Sequence, residues 1–139
     1  MAHGMNVAEL AAFLVREFPE VAGDFAVVSS GDELVMRLKV GPQHLRPGGT
    51  VSGPSMFALA DVAMYLAILA RIGPVALAVT TNISMDFLRK PQAGRDLIGT
   101  ARLLKLGRVL AVGDVLIRAE GADEVVARAG LTYSMPPAR

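Results

Sequence analysis

The sequence predicts an α+β fold: an antiparallel sheet of about six strands wraps around a long central helix at residues 53–72, and a second helix lies at the N-terminus. Almost every residue from 53 to 72 is apolar or small, as a helix buried on all sides requires. Two strand-like runs precede this stretch and four follow it. A sheet folded around the helix buries the apolar surfaces of both.

The N-terminal helix is predicted at residues 6–17, where apolar side chains recur at helical spacing. Asn6 can cap its first turn, and Glu9 completes the pattern of a capping box. Pro19 then ends the helix, because a proline within a helix removes a backbone donor and clashes with the preceding turn.

The strands are predicted from short runs of apolar and β-branched residues. The first two, at 25–30 and 33–40, flank a Ser-Gly-Asp turn and should form a hairpin. In the run from Thr81 to Phe87, polar and apolar residues alternate from Asn82 onward, as in a sheet with one covered face. The last four runs are at 75–88, 96–106, 109–119 and 124–134.

Residues 41–54 are rich in glycine and proline and are predicted to form a loop that leads into the central helix. Ser52 or Gly53 suits the helix cap, and Pro54 suits the first helical position. Gly73, followed by a proline, should end the helix.

The composition indicates a single domain, residues 1–139, with much apolar surface to bury. Its 53% hydrophobic content favours a full core or a subunit interface, so we expect a homo-oligomer in which the sheets join edge to edge. The 14 Lys and Arg residues nearly balance 13 Asp and Glu, so no nucleic-acid partner is expected. Cysteine is absent, which excludes disulfides, thiolate nucleophiles and Cys-ligated metals.

No membrane partner is expected either. The longest apolar run, from Met56 to Ala70, is interrupted by Asp61 and is shorter than the roughly 20 residues of a spanning helix. The first residues also lack a basic stretch followed by an apolar one, the pattern of a signal peptide. We therefore expect a soluble protein of the cytoplasm.

Asp61 is the one carboxylate within the central helix, and the nearest cation along the helix, Arg71, is ten residues away. An unpaired carboxylate in apolar surroundings is costly, so Asp61 must find partners elsewhere in the fold or serve a function.

The segment from His44 to Asp61 resembles the signature of the PaaI-like acyl-CoA thioesterases, a hotdog-fold family. That signature runs His-x-Asn-x-x-Gly-x-x-His-Gly-Gly and is followed by an aspartate in a Leu-Ala-Asp context. Gly49, Gly53 and Asp61 fall on matching positions. The later segments 84–91 and 99–108 are also similar to the family, and the resemblance spans residues 25–134.

The resemblance implies a hotdog fold and thioester hydrolysis at a subunit interface. Gly53 would polarise the thioester carbonyl through its amide, and Asp61, reaching over from the partner subunit, would act as general base or nucleophile. Three positions depart from the signature: Arg46 replaces the Asn, Ser52 the His and Pro54 the second Gly. Arg46 either forms a salt bridge with Asp61 or meets an acidic acyl group.

Other candidate residues follow from the resemblance and from their positions in the chain. Thr80 and Thr81 lie where relatives carry a hydroxyl that assists the attacking water. Ser52 is predicted to cap the helix rather than act as nucleophile, and His44 to be an ordinary solvated loop residue. The candidate contacts to CoA are Ser52, Arg89, Lys90, Arg102, Lys105 and Arg108.

The sequence-based hypothesis is an acyl-CoA thioesterase, active as a homodimer or a dimer-of-dimers tetramer, with acyl-CoA as substrate and no cofactor or metal. The alternative is a hotdog protein that binds an acyl-CoA or another acyl ligand without turning it over, which the three departures favour. A hotdog dehydratase is disfavoured, because that chemistry relies on a histidine where Ser52 stands.

Overall fold

The computed structural model describes residues 4–75 and 77–136, and it confirms the predicted hotdog architecture. Helix α1 (Val7–Glu17) is followed by six strands and by helix α2 (Gly53–Ile72), which lies between the second and third strands. The strands are β1 (Phe25–Ser29), β2 (Leu34–Leu38), β3 (Val79–Phe87), β4 (Leu97–Leu106), β5 (Leu110–Ala119) and β6 (Val125–Ser134).

The six strands form one antiparallel sheet in the order β1-β2-β4-β5-β6-β3, so β1 and β3 are its edges. Strand β3 begins four residues later than predicted. Before it, the Ala78 amide donates to Val75 O in a turn rather than in a strand ladder.

Helix α2 packs against the inner face of the sheet, whose side chains are buried. Glycines on that face let the helix approach closely. A Cβ at Gly113 would contact the Met64 side chain and lie 2.5 Å from Arg102 O, and a Cβ at Gly99 would lie 3.2 Å from Leu59 Cγ. The long apolar helix thus fits a trough that small residues create in β4 and β5.

The helix ends agree with the sequence. Asn6 and Glu9 form the predicted capping box of α1. The Ser52 hydroxyl caps α2 by accepting from the Ser55 amide, and Gly73 ends α2 with φ of 91°, a conformation that favours glycine.

With 20 residues, α2 reaches the length and apolarity that a membrane-crossing helix needs. Ten of those residues are buried against the sheet and α1, as in the core helix of a globular fold. Its apolarity is therefore accounted for by packing within the chain.

Strand β3 pairs with β6 on one side and forms an edge of the sheet on the other. Val79 at its start, Phe87 at its end and the following Leu88 are all exposed. An open edge of nine residues with apolar ends is suited to pairing with another strand.

Candidate active site

Asp61 lies half-buried in the middle of α2, and its partners are hydroxyl groups. Its Oδ1 accepts one hydrogen bond from Thr80 Oγ1, at 2.7 Å, and another from the Tyr133 hydroxyl, at 2.6 Å. Within the described chain, no lysine or arginine forms an ion pair with this carboxylate. The charge buried in the helix is therefore stabilised by neutral donors that arrive from the sheet.

A β-bulge selects which threonine reaches Asp61. Thr80 pairs with Tyr133, but the next pair is Asn82 with Thr132, so Thr81 is an extra residue in β3. The extra residue shifts the alternation of side chains, and Thr80 therefore faces the helix. The Thr81 hydroxyl instead donates to Thr132 O on the exposed side.

Tyr133 was not among the sequence candidates, because a lone tyrosine in an apolar strand is usually a core residue. It lies on the inner face of β6 with 3% of its surface exposed, and its ring stacks 6.1 Å from that of Tyr65. A buried phenol needs a hydrogen-bond partner, and that requirement is the signal by which the sequence could have pointed to Tyr133. Burial, and then the hydrogen bond to Asp61, raise the pKa of Tyr133, so the phenol remains a donor.

A cavity of about 400 Å³ opens beside Asp61, between α1, α2 and the start of β3. Asp61, Thr80 and Tyr133 supply its polar atoms together with Tyr65. The rest of its lining is apolar: Leu14, Phe18, Val21, Val62, Ala78 and Val79. An apolar cavity with a few converging polar groups suits an acyl chain that ends in a reactive carbonyl.

A second cavity, of about 360 Å³, lies at the N-terminus of α2 and at the end of β3. Gly53, the first residue of the helix, lines it with Phe87, and a Cβ at Gly53 would lie 3.3 Å from the Phe87 ring. Arg46, Arg89 and Lys90 line it too. This cavity therefore combines a helix N-terminus with three cations, which favours an anionic group.

The two cavities are separate within one chain. Gly53 and Asp61 are eight residues apart on α2, which is about 12 Å along the helix axis. Arg46 lines the Gly53 cavity and forms no ion pair with Asp61, so the structure does not contain the salt bridge that was one of the two alternatives for Arg46.

The basic candidates divide between the two ends of the sheet. Arg89 and Lys90 follow the end of β3, and the Arg89 guanidinium donates to Val125 O at 2.8 Å. Lys105, near the end of β4, and Arg108, in the β4–β5 turn, lie at the end of the sheet where β3 begins. The Arg102 guanidinium lies 3.9 Å from Asp114 Oδ2 on the neighbouring strand, β5.

His44 is buried, and the expectation of a solvated histidine is wrong. Its Nδ1 accepts from the Gly41 amide at 2.9 Å, and its Nε2 lies 3.3 Å from Asp24 Oδ2. Because Nδ1 is an acceptor, the ring proton lies on Nε2 and points to Asp24. Both nitrogens are thus used to fold the loop before α2, and neither is left to activate Ser52.

Ser52 is engaged at the helix cap, where its hydroxyl also donates to Ser55 Oγ at 2.9 Å. Residues 4–75 and 77–136 hold no group of three or more His, Asp or Glu side chains placed to bind a metal.

Comparison with known proteins identifies the class. The Thioesterase superfamily matches residues 48–126. A crystal structure from Silicibacter sp. TM1040, provisionally assigned as a thioesterase, is 57% identical, with 96% of this chain and 93% of that chain covered and a TM-score of 0.90.

Two further relatives agree. A mutant form of the phenylacetic acid degradation protein PaaI from Thermus thermophilus is 31% identical over 85% of this chain and 99% of its own, with a TM-score of 0.72. Human acyl-coenzyme A thioesterase 13 is 27% identical over 115 residues, 81% of each chain. A helix wrapped in this sheet defines a hotdog-fold protein, and the chain belongs to the thioesterase superfamily as a PaaI-like member.

Proposed function

We propose that the protein is an acyl-CoA thioesterase, which hydrolyses an acyl-CoA to the free acid and CoA in the cytoplasm. The observation that carries the proposal is the Asp61 carboxylate, which lines an apolar cavity while two hydroxyls bind one of its oxygens. The likeness to human acyl-coenzyme A thioesterase 13 supports acyl-CoA as the substrate class.

A homodimer would bring the two cavities together. Strand β3 runs from the Asp61 cavity, where Thr80 lies, to the Gly53 cavity, where Phe87 lies. Antiparallel pairing of two β3 edges about a two-fold axis sets the start of each strand beside the end of the other. Each Asp61 then faces the partner subunit's Gly53, and a dimer of dimers leaves this arrangement intact.

In the proposed reaction the acyl group occupies the Asp61 cavity, and its carbonyl oxygen meets the partner subunit's Gly53 amide. As general base, Asp61 takes a proton from water while the water oxygen bonds to the carbonyl carbon. The Gly53 amide and the N-terminus of α2 stabilise the oxyanion. The tetrahedral intermediate then expels the CoA thiolate, which takes the proton from Asp61, and the acid is released.

Asp61 can instead act as nucleophile, by forming a mixed anhydride and releasing the thiolate before water hydrolyses the anhydride. A single turnover in ¹⁸O-labelled water, followed by mass spectrometry of the Asp61 peptide, detects the nucleophilic route when water attacks the aspartyl carbonyl. Label in Asp61 indicates the nucleophile, because water can attack the enzyme carbonyl of the anhydride.

The CoA phosphates would meet the cations of the Gly53 cavity, Arg89 and Lys90, with Arg46 and Ser52 beside them. In the antiparallel dimer, the partner's β4–β5 turn, with Lys105 and Arg108, approaches that cavity. Basic groups that are divided within one chain would then converge on one bound CoA.

The first test is a thiol-release assay with short, long and aromatic acyl-CoAs. We expect wild-type turnover and at least a 100-fold loss in Asp61→Asn, which keeps the shape of the side chain while removing the base or nucleophile (about 10²–10⁴-fold for general-base catalysis). Tight acyl-CoA binding without product in the wild type would favour the binding protein instead.

Complementation tests the shared site. Gly53→Pro removes the amide proton, and a proline is compatible with the first position of a helix. Asp61→Asn and Gly53→Pro should each be inactive, but a refolded mixture should recover about a quarter of wild-type activity, since half of the dimers carry one intact site. A mixture that stays inactive although heterodimers form contradicts a site built from two chains.

A further inference from the structure

Tyr133 contacts Asp61 at two atoms through a single group. Its hydroxyl lies 2.6 Å from Asp61 Oδ1 and 2.9 Å from the main-chain oxygen of the same residue. The hydroxyl has a single proton, and the shorter distance and the negative charge assign that proton to the carboxylate. The phenol therefore holds the side chain of Asp61 by donating to Oδ1.

The tyrosine that makes this contact is rigid. Its backbone pairs with Thr80 of β3 on one side and with Ala111 of β5 on the other. Its ring is buried and stacks on Tyr65 of α2. A donor held by two strands and by the helix cannot follow Asp61 if the carboxylate turns, so it fixes the carboxylate instead.

The two carboxylate oxygens are consequently unequal. Oδ1 takes both hydroxyl donors, Tyr133 and Thr80, whereas Oδ2 accepts no hydrogen bond from residues 4–75 and 77–136. Asp61 lines the apolar cavity, so the uncommitted oxygen is the one available to a ligand.

We propose that Tyr133 is a positioning residue for hydrolysis: it holds Asp61 by Oδ1, so that Oδ2 is the oxygen that meets the water or the acyl carbon. This inference rests on the proposed thioesterase function. Tyr133 itself touches neither the water nor the thioester, and its effect is transmitted through the orientation of Asp61. A misplaced catalytic group lowers the rate without weakening binding.

Tyr133→Phe is the direct test, because it keeps the ring and removes the hydroxyl. We expect kcat to fall about 10- to 100-fold and KM to stay within about threefold. The matched control is Thr132→Val, one position earlier on the opposite face of β6, which should retain wild-type kcat. Circular dichroism and the melting temperature of each variant separate loss of folding from loss of catalysis.

A spectroscopic readout tests the contact without any turnover. The chain has two tyrosines and no tryptophan, so in Tyr65→Phe the phenolate absorbance reports Tyr133 alone. Adding Asp61→Asn removes the adjacent negative charge, so phenolate formation should begin at a lower pH, measured while circular dichroism still shows the folded protein. An onset that does not move while both variants remain folded overturns the inference even if Tyr133→Phe fails to fold.

The outcomes distinguish the two proposals. An inactive wild type overturns the proposed function, and the positioning role falls with it. An active wild type with full kcat in Tyr133→Phe overturns the positioning role alone. A rise in KM at unchanged kcat also overturns it, because Tyr133 would then act on substrate binding.

Discussion

Thr80 and Thr81 offer a matched pair for testing the geometry around Asp61. They are identical neighbours, yet the bulge in β3 directs Thr80 to Asp61 Oδ1, at 2.7 Å, and Thr81 to Thr132 O, at 3.3 Å, on the exposed side. Replacing each by valine keeps the β-branched shape and removes the hydroxyl. The two variants therefore differ in whether Asp61 loses a donor.

The expected loss of kcat in Thr80→Val follows from the negative charge on the acceptor, the Asp61 carboxylate. A hydrogen bond to a charged group contributes about 1.5–3 kcal/mol, and each 1.4 kcal/mol is about a factor of ten in rate. Tyr133 still holds Oδ1 in Thr80→Val, so we expect the lower part of that range, a fall in kcat of about 10- to 30-fold. Thr81→Val should stay within about twofold, because its bond is long and exposed.

The assay is steady-state thiol release, with kcat and KM measured for both variants alongside their free energies of unfolding. Equal losses in the two variants would refute the reasoning, since the bulge would then not discriminate between the hydroxyls. Full activity in Thr80→Val would refute it as well.

Three further outcomes are expected. Gly113→Ala should lower the free energy of unfolding, measured in urea, by about 1–3 kcal/mol, because its Cβ would lie 2.5 Å from the main-chain oxygen of Arg102. The control is Gly130→Ala, which should be nearly neutral because its Cβ would have no heavy atom within 4 Å. Because the pKa of Tyr133 is raised in the folded state, its stabilising contribution is complete below about pH 10 and is lost as the pH rises further. Wild type should therefore lose stability faster than Tyr133→Phe above pH 10, by up to about 1.4 kcal/mol per pH unit, and equal slopes in urea titrations would contradict this. Lys90→Ala should raise KM for acyl-CoA several-fold at unchanged kcat, and the rise in KM should be smaller at high salt. A change confined to kcat would exclude a role of Lys90 in CoA binding.

Local patterns in the sequence predicted the elements well. The capping box at Asn6, the hydroxyl cap at Ser52 and the stop at Gly73 each depend on a few neighbouring residues, so they can be recognised without tertiary information. The long apolar stretch likewise predicted a helix inside a sheet. The resemblance to a family then supplied the fold by name.

The details of the site were less accessible, because they depend on contacts between distant segments. Tyr133 is 72 residues from Asp61, and no periodic pattern pairs them. The burial of His44 depends on Asp24 and on the amide of Gly41, which a composition typical of a loop does not reveal. Whether Gly53 and Asp61 share a site depends on a second chain, which the sequence of one chain specifies only through its apolar surface and open edge.

The extra residue in β3 also affects how related chains should be aligned. Removing Thr81 would leave Thr80 opposite Tyr133 and Asn82 opposite Thr132 in an unbroken ladder, so the pairing itself does not require that residue. A relative without the bulge can therefore present the same hydroxyl at an unchanged spacing from its aspartate, while every later residue of the strand lies one position nearer in sequence. Counting back from the end of the strand selects the wrong residue in one of the two cases, whereas the strand opposite, through the partner of Tyr133, identifies the equivalent residue in both.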